Sequence, residues 1–204
     1  LASEAARKAL EQAGKTAEEI DLILVASCSP EQYLPCCACQ VQAAIGAVNA
    51  LAFDVNAACS GFLFALNTAD AYLRTGLAEN ALVIGSEVLS KLVDWKDRGS
   101  CILFGDGAGA VVVERCRTES RAVEYGNALP AAEEKRIPAA GILGRALHSD
   151  GTGGGVLQCD ARELTTPYAR TSAVKTDQNQ PMDDREHFIQ MDGQEVYRFA
   201  TRRV

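Results

Sequence analysis

Apolar residues recur at helical spacing from the first positions of the chain. Ala2, Ala5, Ala6, Ala9, Leu10 and Ala13 share one face, which predicts an amphipathic helix over 3–13 ended by Gly14. Thr16 and Glu19 have the spacing of a capping box and predict a short helical turn, and the unbroken apolar run Leu22–Ala26 predicts a buried strand. Ser27–Pro35 reads as loop. A helix is expected from about Cys37 to Ile45, closed by Gly46, and then a buried strand over 51–55. Phe62, Leu66, Ala69 and Leu73 repeat at helical spacing, so 60–75 is read as a helix with Gly76 as its C-cap. Ala81–Gly85 is a third buried strand, and 86–100 is polar and turn-rich, as a connection facing a site would be. Ile102–Phe104 leads into GDGAGA (Gly105–Ala110) and the apolar run Ala110–Val113, read as a tight turn entering a buried strand. Beyond Cys116 the pattern weakens. Gly141–Leu147 returns as a candidate strand before a turn at His148–Gly151, 158–187 is polar without a clear period, and a last helix starts near Gln194. This alternation of strands and helices argues an α/β layered fold with parallel strands.

Composition narrows the partners. The 204 residues suffice for a real core, and a formal charge of −7 argues against a general nucleic-acid binder, which would show a basic face. No apolar run approaches the roughly 18–20 residues needed to span a membrane, and no signal-peptide pattern opens the sequence, so the cytoplasm is the expected compartment. The chain opens at Leu1 directly in a helical pattern and stops at Val204 inside another, so a fragment of a longer protein is expected. Eight cysteines raise the question of disulfides, but Cys59, Cys101 and Cys116 fall on or beside apolar elements of what reads as an intracellular protein, where thiols stay reduced. Cys36, Cys37 and Cys39 form a denser cluster. Zinc sites pair two-cysteine knuckles at separated positions and no second knuckle follows, so small half-apolar residues starting a buried helix are preferred to a metal site.

Cys59, in FDVNAACSGF, is the most informative residue. It falls where a strand turns into a helix, near unpaired N–H groups and the positive end of the helix dipole, which favour the nucleophilic thiolate. Ala57, Ala58, Ser60 and Gly61 leave room for a substrate carbonyl. Position alone leaves a buried structural cysteine equally open. His148 is a possible base for Cys59, but it sits in a turn sequence (HSDG), and His187 lies in the polar stretch; a structural or exposed role is preferred for both. GDGAGA resembles a phosphate-cradling run, yet a β-like segment follows it where a dinucleotide fingerprint needs a helix, and Asp106 is expected to hydrogen-bond backbone there. Arg98 is either a solvated surface charge or a guanidinium that stacks on an aromatic base and attracts phosphate.

Taken together, AACSGF, ALVIGSEVLS, DRGSCILFGDGAGAVVV, LHSDG and MDGQEVYRFA, in this order, resemble β-ketoacyl-acyl carrier protein synthase III of the thiolase superfamily. The resemblance covers essentially the whole chain, more loosely at 117–140 and 158–187. It implies a layered α-β-α-β-α fold built from two α/β halves, of which 1–140 would be the N-terminal half, incomplete at its start, and 141–204 the start of the C-terminal half. It implies an acyl-CoA primer transferred to Cys59 as a thioester. Malonyl-acyl carrier protein then loses CO2, and the carbanion attacks that thioester; the Cys59 N–H would contribute to an oxyanion hole. Coenzyme A enters as part of the substrate, and no cofactor or metal is implied. By matching position, Arg98 would contact the adenine end of coenzyme A, Phe104 would lie beside the acyl site, and Met191 and Gly193 would line the coenzyme A tunnel. Leu34 would cross the interface of a homodimer. The family also places a His and an Asn in HQAN-type and GNTSAA-type motifs, and neither occurs here, so acylation without condensation is expected of these residues alone.

Three other readings compete. A polyketide, quinolone, hydroxymethylglutaryl-CoA or chalcone-type synthase of the same superfamily would differ mainly in pocket shape and partners. A cysteine-dependent α/β-hydrolase would want Gly two residues before the nucleophile, where Ala57 stands. A degenerate, non-catalytic partner subunit would have lost the nucleophile, which is present.

Overall fold

The computed structural model describes residues 1–116, 141–160 and 188–203. The chain forms two compact units, one of Leu1–Ser86 and Ala108–His148, the other of Glu87–Gly107 and Ser149–Val204. Unit 1 contains helices α1 (Ala2–Ala13), α2 (Cys37–Ile45) and α3 (Gly61–Thr75) and the strands β1 (Leu22–Ala26) and β2 (Leu51–Val55). Most of β3 (Asn80–Val88) and β4 (Asp106–Glu114) also belong to it. The sheet order is β2-β1-β3-β4, and β1 runs parallel to both neighbours, Leu22 opposite Leu51 on one side and Ala81 on the other.

The period of two in a strand decides the layering. Ile23 and Val25 of β1, with Leu82 and Ile84 of β3, point to the side covered by α1 and α2, where they meet Ala6, Leu10, Ala38 and Val41. Leu22, Leu24 and Ala26, with Ala81 and Val83, point to the other side and pack against Ala65, Ala69 and Leu73 of α3. Central strands covered on both faces read as continuous apolar runs, and β1 is buried at every position. The three helices end on Gly14, Gly46 and Gly76, all left-handed, a conformation that costs glycine nothing for want of a Cβ. Thr16 and Glu19 close the expected capping box, with the Thr16 N–H donating to Glu19 Oε2 at 2.7 Å.

Three expectations need correction. The strand over 51–55 is half-buried rather than buried, with Leu51 54% exposed, because it forms the edge of the sheet. GDGAGA is no tight turn: β4 begins at Asp106 and runs through the glycines. It too is an edge strand and largely exposed, with Ala110 and Val112 packed on one core face and Val113 on the other. Gly141–Leu147 forms no strand. It is irregular backbone tied to α3 by side chains: Arg145 donates to Asn67 Oδ1 at 2.7 Å and pairs with Asp70, and Arg74, itself 2.7 Å from Asp70, reaches the Ile142 carbonyl. β3 also runs three residues past the predicted end, to Val88. The polar stretch from 161 onward and His187 lie outside the described residues.

One tie across unit 1 is invisible in local sequence. Asp54 of β2 accepts the N–H groups of Cys37 and Ala38 at 2.8 and 2.7 Å, capping α2 from a neighbouring strand. Asp54→Ala leaves two half-buried donors unmatched and is expected to cost about 1–3 kcal/mol, read as a lower urea midpoint with unchanged slope. An unchanged midpoint would show that water replaces the carboxylate at no cost.

Unit 2 holds the segment after β3, a short 3-10 helix (Gly151–Val156), the antiparallel pair β5 (Leu157–Gln158) and β6 (Gln190–Met191), and α4 (Gly193–Arg203). The Ile189 N–H donates to the Leu92 carbonyl at 2.8 Å, and Val93, Ser100 and Ile189 are buried. Among the described residues no helix is long and apolar enough to cross a membrane.

Candidate active site

Cys59 sits in a single 3-10 turn, Ala58–Ser60, between β2 and the first residue of α3. Its side chain is exposed, which removes the reading of a buried structural cysteine. The residue before it, Ala58, has φ of 45°, a left-handed conformation that costs a residue with a Cβ on the order of 1–3 kcal/mol and marks sites where geometry matters more than local comfort. The turn is closed by the Ser60 N–H donating to the Ala57 carbonyl at 3.2 Å and the Gly61 N–H donating to the Ala58 carbonyl.

Two packing contacts hold this turn in place. A Cβ on Gly61 would stand 3.2 Å from the Cβ of Ala26, so the absence of a side chain lets the start of α3 approach β1. Phe62, the next residue, lies over Gly85 of β3, where an added Cβ would meet its ring at 3.4 Å. The α3 dipole thus ends at a strained, exposed thiol anchored on two central strands.

The other proposed site residues lie in unit 2, apart from Leu34. Arg98 is exposed in the turn DRGS. Asp97 organises that turn: its carboxylate accepts the Ser100 hydroxyl at 2.6 Å and the Gly99 N–H at 2.9 Å, bonds that hold it below the usual carboxylate range. Phe104 is half-buried, between exposed Leu103 and the start of β4. Asp106 does bond backbone, as expected, but across to Ser90, accepting its N–H at 2.8 Å and its hydroxyl at 2.7 Å; both bonds lower its pKa. Trp95 adds a third tie, its indole N–H donating to the Ser90 carbonyl at 3.2 Å.

Met191 and Gly193 are brought together. With Gly155, Gln190, Asp192 and Gln194 they line an open cleft of about 740 Å³. Asp192 caps α4, its carboxylate accepting the N–H groups of Gln194 and Glu195 at 3.1 Å each. Leu34, in unit 1, is 86% exposed and its neighbour Tyr33 is 80% exposed. His148 is exposed, and the HSDG sequence leads into the 3-10 helix with the Asp150 carboxylate accepting the Thr152 N–H at 3.0 Å. None of the eight cysteines is in a disulfide.

The sequence reading missed Asp54, Asp97 and Asp192. Two of these were visible locally: Asp97 and Asp192 each stand two residues before an N–H they accept, the spacing of Asx turns and N-caps. Asp54 had no local signal, because its partners are 16 and 17 residues away.

The chain is similar to known proteins over nearly its whole length. The family model for 3-oxoacyl-[acyl-carrier-protein] synthase III matches residues 53–127, which include the Cys59 turn, α3, β3 and β4. A β-ketoacyl-[acyl-carrier-protein] synthase III of Synechococcus sp. (strain WH7803) is 47% identical over 204 residues, covering 100% of this chain and 52% of the relative. The crystal structure of the synthase III from Thermus thermophilus superposes with a TM-score of 0.69 at 32% identity, over 98% of this chain and 53% of that one. A priming β-ketosynthase from the R1128 polyketide pathway superposes at 0.56 with 37% identity, over 58% of this chain and 35% of that one. The chain spans about half the length of the curated relatives it matches. With its layered thiolase-like α/β fold and its cysteine at the head of α3, this chain is similar over nearly its whole length to β-ketoacyl-acyl carrier protein synthases III.

Proposed function

We propose that the protein of which these residues are a part initiates fatty acid synthesis in the cytoplasm by condensing an acyl-CoA primer with malonyl-acyl carrier protein. The observation that supports this most directly is the exposed Cys59 on its strained turn at the N-terminus of α3. The thiolate attacks the acyl-CoA carbonyl and coenzyme A leaves as its thiolate. The malonyl group then loses CO2, its enolate carbon attacks the acyl-Cys59 carbonyl, and the Cys59 thiolate is expelled. The Cys59 N–H makes no hydrogen bond to another described group, so it is available to an oxyanion at the acyl carbon.

The remaining roles rest on position in the family's motifs. Arg98, in the turn that Asp97 braces, is assigned to the adenine end of coenzyme A, and Phe104 to the acyl site. Met191 and Gly193 are assigned to the coenzyme A tunnel, which their place in the unit 2 cleft supports. Residues 1–140 and 141–204 are read as the N-terminal half and the start of the C-terminal half, and the decarboxylating step as a property of the whole protein. Coenzyme A is substrate and no separate cofactor takes part. Likeness to a priming ketosynthase keeps a polyketide pathway as the second reading.

The test is mass spectrometry of the folded protein after incubation with short straight and branched acyl-CoAs. A single acyl adduct at Cys59 supports the synthase and names the primer. No adduct from the full-length protein overturns the reading.

We also propose a homodimer, with β2 and the 27–35 loop at the interface. An edge strand offers unpaired backbone groups to a second copy, and Leu51 in this strand and Tyr33 and Leu34 in the loop are exposed. Leu51→Lys is expected to turn a dimer into a monomer in sedimentation velocity. A monomeric parent at micromolar concentration would rule the dimer out.

A further inference from the structure

Cys36 and Cys39 bracket the first turn of α2. Cys36 is the N-cap, with extended backbone (φ −63°, ψ 156°), and Cys39 is the third helical residue. This is the relation in which an N-cap side chain reaches over the N3 position. Side chains three residues apart on a helix have Cβ atoms about 5–6 Å apart, and a disulfide brings them to about 3.5–4.5 Å, so the pair joins by a movement of roughly 1–2 Å at the start of α2. Both side chains are half-buried and therefore reachable by a small molecule. They also interact: the Cys36 side chain is the leading cause that raises the pKa of Cys39. The Cys39 thiol donates to the Ala52 carbonyl at 3.7 Å. Cys37, between them, is set apart, its thiol pushed up first by burial and then by the Asp54 charge. Asp54 also occupies the N–H groups of Cys37 and Ala38, so this helix end is not open to an outside anion.

We propose that Cys36 and Cys39 form a redox-active dithiol, which closes reversibly to a disulfide by exchange with a small disulfide of the glutathione type. The Cys36 thiolate attacks one sulfur of glutathione disulfide and expels one glutathione thiolate. Cys39 then gives its proton to solvent, attacks the Cys36 sulfur and expels the second. Two protein thiols are oxidised by two electrons and one glutathione disulfide is reduced to two glutathiones, so atoms and electrons balance. A dithiol of this spacing in a reducing compartment is of the transient rather than the structural kind.

The test uses the intact protein equilibrated across a series of glutathione redox buffers, quenched with acid, alkylated and cleaved after Tyr33 and Phe53. The peptide 34–53 then carries Cys36, Cys37 and Cys39 and no other cysteine. The expected product has lost two hydrogens, is alkylated at Cys37 alone, increases with the oxidised share and disappears with dithiothreitol. In Cys39→Ser the resolving thiol is missing, and glutathione is expected to accumulate on Cys36 several-fold over the wild type. Alkylation of all three cysteines throughout the series overturns the proposal, as does a bond that includes Cys37. The wild-type measurement decides the matter even if the variant folds poorly.

Discussion

Cys59→Ala is expected to abolish transfer of an acyl group from acyl-CoA to the protein and to lower condensation by the full-length enzyme by ~10³-fold or more. The magnitude follows from what other covalent catalysts lose when the nucleophile is removed and binding is left intact. Folding should be spared, because the side chain is exposed and supports no core contact. The variant therefore separates chemistry from structure: its circular dichroism and urea midpoint should match the parent while the adduct is gone. Persistence of an adduct in the variant would move the nucleophile elsewhere. Cys101 and Cys159 are the controls, since both lie in unit 2 outside any disulfide and neither stands at the head of a helix.

The second large effect is expected from a residue with no chemistry. Gly61→Val forces a branched side chain against the Cβ of Ala26, at a point where even a single Cβ would stand at 3.2 Å. Ala26 lies on a buried central strand and cannot retreat, so α3 must lift. Overpacking of this kind costs about 1–3 kcal/mol, and a displacement of about 1 Å at a reacting group costs on the order of 10²-fold in rate. Gly61→Val should therefore lower both the urea midpoint and the rate of Cys59 acylation. Gly61→Ala is the informative partner. Its gain in helix propensity of about 1 kcal/mol opposes a milder clash, so stability should change little while acylation still slows. If Gly61→Val acylates at the parental rate, the Gly61–Ala26 approach does not position the nucleophile.

Stability and site placement meet in the same few residues of unit 1. Ala58 is strained, Gly61 is pressed on β1, and Phe62 rests on Gly85, all within five residues of sequence. Two buried strands over-determine the turn, which is the condition under which a strained residue persists. The Arg98 turn in unit 2 is built differently. It hangs on one carboxylate, Asp97, whose hydrogen bonds are local, one to the buried Ser100 hydroxyl and one to the exposed Gly99 N–H. Rigid placement at the thiol and local bracing at the exposed guanidinium suit a reacting atom and a surface-held ligand tail, respectively.

The sequence by itself determined every element whose pattern is local. Apolar residues at helical spacing and glycines able to adopt positive φ set α1, α2 and α3 almost to the residue, and the capping box at Thr16–Glu19 formed as spelled. The continuous apolar run at Leu22–Ala26 marked a strand buried on both faces, because only such a strand needs apolar side chains at every position. The motifs around Cys59 made it the candidate nucleophile for the same reason: strand, small-residue turn and helix are contiguous in the chain. Tertiary structure alone decided which strands were edges. LAFDV and AVVVE read as buried as LILVA does, yet the order β2-β1-β3-β4 leaves β2 and β4 outermost and half-exposed. It also decided that 141–147 is held by Arg145 and Arg74 through Asp70, and that α2 is capped from β2 by Asp54. Ion pairs and caps between residues 16 to 75 positions apart leave no periodic trace, because their partners are neighbours in space and not along the chain.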